Sequence, residues 1–299
     1  MTSAVDRGTA LKRLVAEKSP VQMAGTPTAY CALLAIEAGF RAIYLSGAAV
    51  ANSSFGIPDL GRTTRANVVE DARRITDVVD LPLLVDADTG WEEEPGGVAE
   101  TIRSLSEVNV AGCHLEDQIT DKRCGHRAGK HLVDLATACD RIKAAVDART
   151  QNDFVIMART DAYGVEGFNA AVDRANRYVE AGADMIFAEA MKDLSEYQSF
   201  CEQCSVPILA NMTEFGVTPL FDLQSLASAN VGIVLYPLSA FRAMSKAAES
   251  VYRALLQDGT QEAVLPHMQT RDELYGVLDY YAQEQQLDET LSSGKANDN

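Results

Sequence analysis

Leu83-Leu84-Val85-Asp86-Ala87-Asp88-Thr89-Gly90 is the stretch on which the fold turns. Three apolar residues, too few for a helix, run straight into a carboxylate, a second carboxylate two residues on, and a glycine turn. That is the pattern of a short buried strand ending at a polar rim. The pattern recurs. Apolar runs at 21–24, 42–45, 83–85, 112–115, 154–158, 185–188, 208–210 and 232–235 alternate with segments of helical periodicity at 28–38, 64–79, 98–108, 134–147, 168–181, 194–204, 220–229 and 238–257. A helix over 9–18 leads in, and Ala38-Gly39 and Ala181-Gly182 supply helix-ending glycines. Short continuous strands alternating with helices predict a parallel sheet covered on both faces, and eight such units over roughly 240 residues predict a closed (β/α)8 TIM-type barrel, an α/β fold. The rival, a doubly wound open sheet, lacks a Gly-x-Gly-x-x-Gly after the first strand.

Polar residues follow the runs in order. Ser46 and Gly47 come after the second, Asp86 and Asp88 after the third, Glu116 and Asp117 after the fourth, Arg159 and Asp161 after the fifth. Glu189 follows the sixth, Asn211 and Thr213 the seventh, and Tyr236 the eighth. In a barrel these positions converge on one rim. Ordinary loop polarity is the plainer reading, but loops of the opposite rim hold fewer carboxylates directly against strands. Asp86 and Asp88, two apart on an extended backbone, point the same way and can share one cation. Oxygen ligands without His or thiolate select magnesium or manganese over zinc or copper. The same pair also occurs in helix caps and surface turns.

The fourth run leads into His114-Leu115-Glu116-Asp117-Gln118-Ile119-Thr120-Asp121-Lys122-Arg123-Cys124-Gly125-His126-Arg127. Here one thiol sits among Lys122, Arg123, His126 and Arg127. Flanking positive charge favours its thiolate and makes it a better proton-transfer group than an isolated cysteine. Gly125 lets backbone and ligand approach closely. A solvated surface loop with an incidental cysteine has the same local sequence.

The bulk numbers bound the rest. A chain of 299 residues, 47% hydrophobic and without a composition break, reads as one domain over 1–299 with a large core. A net charge of −17 speaks against nucleic acid and anionic membrane surfaces as partners. An anionic small substrate stays open, because a site with its own Arg, Lys and metal is locally positive. Residues 1–18 lack the apolar stretch of a signal peptide, and no run is long enough to span a bilayer. Cys31, Cys113, Cys124, Cys139, Cys201 and Cys204 are scattered, which predicts a reduced, cytoplasmic protein. Cys201-x-x-Cys204 lacks the second Cys or His pair of a zinc site and reads as a helix-end pair. Residues 258–288 form a C-terminal helical extension with an aromatic stripe (Tyr275, Leu278, Tyr281), and the tail 289–299 reads as disordered.

Lys122-Arg123-Cys124-Gly125-His126 also carries a resemblance. From about residue 21 to about residue 288 the chain resembles the isocitrate lyase and phosphoenolpyruvate mutase superfamily. Within it, the Arg at position 123 resembles the methylisocitrate lyases, where isocitrate lyases usually carry Lys-Lys-Cys-Gly-His. Ser239-Ala240-Phe241-Arg242 and Gln269-Thr270-Arg271 match as well. The resemblance implies a magnesium-dependent carbon–carbon lyase that splits 2-methylisocitrate into pyruvate and succinate, the closing step of the methylcitrate route for propionate. Isocitrate lyase, oxaloacetate hydrolase and dimethylmalate lyase are the alternatives within the superfamily. A non-catalytic barrel kept as a binding protein is the alternative of another class.

By the same resemblance Asp86 and Asp88 hold the metal (Mg2+, or Mn2+ in its place), with Glu116 reaching it through water. Cys124 donates a proton to the succinate-like carbanion, with Lys122 and His126 tuning the thiol. Tyr44 and Asp59 are candidates for activating the hydroxyl. Substrate contacts are implied for Ser46, Gly47, Ala48, Gly125, Arg159, Glu189, Asn211, Met212, Thr213, Arg242 and Arg271. Phe187, Leu235 and Pro237 are implied to enclose the methyl group. The implied assembly is a homotetramer, a dimer of dimers with the C-terminal helix exchanged between subunits. Two departures stand out. The turn Ser46-Gly47-Ala48-Ala49 replaces the family's frequent Ser-Gly-Gly-Gly, and Trp91 is followed by Glu92-Glu93-Glu94-Pro95 where related chains are glycine-rich.

Overall fold

All eight apolar runs form strands: β1 (Val21–Gly25), β2 (Ala42–Leu45), β3 (Leu83–Asp86), β4 (Gly112–Glu116), β5 (Val155–Thr160), β6 (Met185–Ala188), β7 (Ile208–Asn211) and β8 (Ile233–Tyr236). Each pairs in parallel with the next, and β1 pairs with β8 through Val21–Ile233 and Met23–Leu235, which closes the barrel. The computed structural model describes residues 6–91, 95–150 and 153–296. Glu92, Glu93 and Glu94, the acidic departure after Trp91, lie outside the described residues.

Helix ends follow the local chemistry. Thr64 caps the helix Arg65–Thr76 in a capping box with Asn67. Asp134 caps Leu135–Asp147, Asp193 caps Leu194–Gln203, and Asp222 caps Leu223–Ser228, each through its side chain to a backbone N–H of the first turn. A buried arginine, Arg7, ties the leading helix Arg7–Val15 into the barrel's base by bonding the carbonyls of Val79, Thr76 and Asn109.

Strand parity divides the core in two. Ala42 and Tyr44, Leu84, Val155 and Met157, Met185 and Phe187, Leu209, and Ile233 and Leu235 make one buried cluster, the barrel's interior. The alternate residues Ile43 and Leu45, Leu83 and Val85, Cys113 and Leu115, Ile156 and Ala158, Ile186 and Ala188, and Ile208 and Ala210 join a second cluster with helix residues such as Val68, Ile75, Ile102 and Ile142. Side chains of a strand alternate faces, so each inward column continues upward with period two. Above Leu84 comes Asp86; above Met157, Arg159; above Phe187, Glu189; above Leu209, Asn211. The same parity sends Met212 outward, where it is buried in the second cluster and not in the cavity.

The chain separates into two compact units, residues 1–241 and 242–299, divided within the helix Ser239–Asp258. In the second unit a 3-10 turn (Glu262–His267) precedes the helices Arg271–Val277 and Tyr280–Ala296. The tail expected to be disordered from residue 289 is helical through Ala296. Ser292 and Thr290 do not break the helix, because their hydroxyls bond the carbonyls of Asp288 and Gln286 one turn back. Residues 297–299 lie outside the described residues. Among the described residues no helix is long and apolar enough to cross a membrane.

Candidate active site

The strand ends of β2 to β8 and the segment after β4 enclose a cavity of about 70 Å³. Tyr44, Ser46, Ala48, Asp59, Asp86, Glu116, Lys122, Cys124, Gly125, His126, Arg159, Phe187, Glu189, Asn211, Thr213, Leu235 and Pro237 all line it, and so do Arg123 and Leu238. A larger cavity of about 320 Å³ sits at the opposite rim among Leu14, Pro20, Val21, Phe40 and the exposed Arg41–Glu17 pair, and no set of reactive side chains converges there. Arg242 and Arg271 are exposed residues of the second unit.

Asp86 and Asp88 reach the same spot, but not by strand alternation. β3 ends at Asp86, and Asp88 has φ 48°, the left-handed region that aspartate tolerates better than most residues. The expectation of an extended Asp-Ala-Asp is corrected accordingly. A Cβ on Gly47 would lie 3.2 Å from Asp86 Oδ2 and 3.3 Å from Asp88 Oδ1, so both carboxylates border the space that this glycine leaves empty. Gly47 N–H donates to Asp86 Oδ2 at 3.1 Å, and Asp88 N–H to Asp86 Oδ1 at 3.1 Å. Residues 46–49 need no positive φ, so alanine at 48 and 49 is tolerated in that turn.

The electrostatics are unbalanced. Five carboxylates (Asp59, Asp86, Asp88, Glu116, Glu189) surround the cavity with three permanent cations (Lys122, Arg123, Arg159). Lys122, buried, bridges Asp88 Oδ1 at 2.6 Å and Asp59 Oδ1 at 2.8 Å. Burial opposes the charge on Lys122, but Asp88, Glu116, Asp86 and Asp59 hold its pKa well above the ordinary lysine range. Burial also opposes charge on Asp86, yet His114, Lys122, Arg159 and the Asp88 N–H hold that carboxyl down at about 2. Asp88 goes the other way. Burial outweighs Lys122, with Asp86 and Asp59 adding repulsion, and its carboxyl is pushed up to about 6. Burial likewise raises Glu116 well above the carboxylate range, against the pull of Arg159 and Lys122.

Asp88 Oδ2 and both Glu116 oxygens are buried without a hydrogen-bond partner; the Arg159 guanidinium is 3.4 Å from Glu116 Oε2. Orphaned buried carboxylate oxygens are rare unless something absent satisfies them. Among the described residues no group of three or more His, Cys, Asp or Glu side chains closes on one point as a full metal cage. Two carboxylates with a third nearby are the open arrangement by which a hard divalent cation keeps waters and takes substrate oxygens. The donor set fits such an ion.

Beneath the carboxylates, His114 Nε2 lies 2.9 Å from the Tyr44 hydroxyl, which is 3.4 Å from Asp86 Oδ2. Burial, stronger than the attraction of Asp86, holds the imidazole down at about 4, so it is neutral at physiological pH. Burial and Asp86 raise the Tyr44 phenol well above its ordinary value. His114 was missed in the sequence although parity gives it away, being two residues below Glu116 on the inward column of β4.

Arg159 bonds Asp161 through Nε (3.0 Å), faces Glu189 Oε2 at 3.2 Å and lies 5.1 Å over the Phe187 ring. His126 Nε2 meets Glu189 Oε1 at 2.9 Å, while its Nδ1 accepts the Val217 N–H at 3.1 Å. With Nδ1 accepting, the ring proton sits on Nε2 and points at Glu189. Burial opposes the Glu189 charge, but Arg159 and His126 together hold its pKa below the carboxylate range. Two of the basic side chains around Cys124 are thus turned onto carboxylates, the Lys122 ammonium onto Asp59 and Asp88, and the His126 Nε2–H onto Glu189. The thiol itself is exposed at the cavity's lip. A Cβ on Gly125 would come within 2.5 Å of Glu189 Cγ, so only glycine lets the thiol loop lie against Arg159 and Glu189.

Residues 11–256 match the family model described as phosphoenolpyruvate phosphomutase. The chain belongs to this phosphoenolpyruvate phosphomutase family. It is 54% identical to 2-methylisocitrate lyase of Escherichia coli (strain K12) across 94% of this chain and 95% of that one. Among solved structures it superposes with a TM-score of 0.87 on a 2,3-dimethylmalate lyase, a member of the PEP mutase/isocitrate lyase superfamily, at 34% identity over 94% of this chain and 95% of that one. A phosphonopyruvate hydrolase complexed with oxalate and Mg++ superposes with a TM-score of 0.83 at 26% identity, covering 94% and 97%. The family thus joins relatives of different chemistry on one barrel, and the substrate has to be argued from the cavity.

Proposed function

We propose that this carbon–carbon lyase cleaves 2-methylisocitrate to pyruvate and succinate, with magnesium held by Asp86 and Asp88 and by Glu116 through water. The observation that carries the reading is one cavity in which Asp86, Arg159, Glu189 and the Cys124 thiol meet the apolar side chains of Phe187, Leu235 and Pro237. The 54% identity to a 2-methylisocitrate lyase adds weight. When bound, the dication supplies a Lewis acid that stabilises negative charge on the oxygens of the 2-oxo acid.

The protein's own groups do the rest. Arg159, with Asn211 and Thr213, holds a substrate carboxylate and the charge that grows on it as the bond breaks. Tyr44, kept protonated by burial and by Asp86, suits a donor's role. That leaves Asp59, held at 2.8 Å by Lys122, to take the hydroxyl proton. Cys124 then protonates the succinate carbanion from the lip of the cavity. Glu189 fixes Arg159 and His126, and Gly125 brings the thiol loop onto both. Ser46, Gly47 and Ala48 offer a turn for a carboxylate.

Phe187, Leu235 and Pro237 enclose the methyl group, whose burial is worth about 1–3 kcal/mol of preference over isocitrate. We place the enzyme in propionate breakdown, in the cytoplasm, as a dimer of dimers; all six cysteines are free thiols, as a reducing compartment requires. The test is a coupled assay with Mg2+ present. 2-Methylisocitrate should yield pyruvate much faster than isocitrate yields glyoxylate. Glyoxylate from isocitrate with no pyruvate from the methyl compound overturns the substrate.

A further inference from the structure

Lys130 lies outside the proposed chemistry, yet its side chain is only 3% exposed. Its ammonium donates to the Gly125 carbonyl at 2.6 Å and to Asp161 Oδ1 at 2.7 Å. Asp161, fully buried, is the same carboxylate that grips Arg159 Nε, and its backbone N–H is fixed by Asp117 Oδ1 at 2.9 Å. One buried cation thus ties the residue after Cys124 to the end of β5, on the group that orients Arg159.

The segment around it is a flap with a closed base. Ile119 N–H bonds the His131 carbonyl, Val133 N–H bonds the Asp117 carbonyl, and Gln118 pairs antiparallel with Leu132. Between these ends, Gln118 clamps Arg123 through both its amide oxygen and nitrogen. The tip then docks by Lys122 on Asp59 and Asp88, and by His126 on Glu189. These contacts grip the two sides of the thiol. Lys130 alone, among the contacts described, holds the backbone of Gly125 itself to the barrel wall.

We propose that Lys130 is a positioning residue, a buried latch that couples the Cys124 loop to the Asp161–Arg159 pair so that thiol and guanidinium face the substrate together. The kinetic part of this proposal rests on the lyase reading above; the structural part does not. Lys130→Met removes the ammonium while filling its channel, and Asp161 keeps Arg159 as a counter-charge, so the fold is retained.

Amide exchange followed by mass spectrometry should show the Arg123–Arg127 segment opening about tenfold faster or more in the variant, the size expected for lost charge-assisted hydrogen bonds, with Ile119 and Val133 unchanged. Pyruvate formation should fall in kcat and in kcat/KM alike, with KM nearly constant, because the latch acts on alignment and not on substrate affinity. Lys130→Gln, which keeps a donor without charge, should fall between; it is also the variant to measure if Lys130→Met does not fold. Unchanged exchange at the tip, or a rise at base and tip together, overturns the latch. Faster exchange at the tip in an enzyme that never makes pyruvate, wild type included, leaves the latch standing and removes the substrate reading instead.

Discussion

Cys124 is the residue on which the proposed chemistry is most exposed to test. A serine hydroxyl is far less acidic than a thiol and cannot deliver its proton to the carbanion on the same timescale. Cys124→Ser should therefore lower turnover by about 100-fold or more, in the range of a lost general acid, with Mg2+ and pyruvate binding retained by calorimetry. A rate within a few-fold of wild type would remove the thiol from that role. Asp88 carries a second prediction, and the sign matters. Its carboxyl is raised from 3.8 to about 6, so folding favours the protonated form, and that contribution is lost as pH rises through about 6. The metal needs the ionised form. Affinity for Mg2+ should fall roughly tenfold per pH unit below about 6, and added Mg2+ should raise Tm more near pH 7.5 than near pH 5. An affinity flat across that range would show that Asp88 does not titrate against the ion.

At the scale of elements, one rule places most of the site: the inward columns of β3, β4, β5 and β6 end at the top in an ionisable residue (Asp86, Glu116, Arg159 and Glu189), and that of β7 in the amide of Asn211. The lower members are packing, and the upper members meet the cavity. Leu209, fully buried two residues below Asn211, belongs to the packing part. Leu209→Ala should cost about 2–5 kcal/mol in chemical denaturation through the cavity that it leaves. A cost under about 1 kcal/mol would mean that the interior repacks around the gap. The flap between Asp117 and Val133 obeys no such rule. It is neither strand nor helix along most of its length, and it is held by Asp59 and by the carboxylates just beyond β3, β5 and β6 (Asp88, Asp161 and Glu189), far away in sequence. Its glycine at 125 and its latch at 130 are legible only once those partners are in place.

At the scale of the molecule, the C-terminal unit carries the open question of assembly. Tyr275 stacks on Tyr280 at 4.1 Å between centroids, and Tyr281 (58% exposed), Leu287 (57%) and Leu291 (56%) present apolar surface to solvent. A row of this kind marks a surface that something covers. Light scattering on a sizing column should give a tetramer, and Tyr281→Glu should shift the population to smaller species. A wild-type monomer at micromolar concentration would sink the assembly.

The sequence by itself determined the alternation of eight short strands with helices, and hence the barrel, because burial on both faces leaves strands no polar positions and covering helices repeat with period 3.6. It also determined which residues crowd the strand ends, and the thiol motif of the loop. Only the tertiary structure decided how they are used. Lys122 turns its ammonium onto Asp59 and Asp88, His126 turns its Nε2–H onto Glu189, and Lys130 reaches 31 residues along the chain to Asp161. The physical reason is common to all three. Periodicity is a local property of the backbone, whereas the partner of a buried charge is chosen by whatever the closed barrel brings within 3 Å.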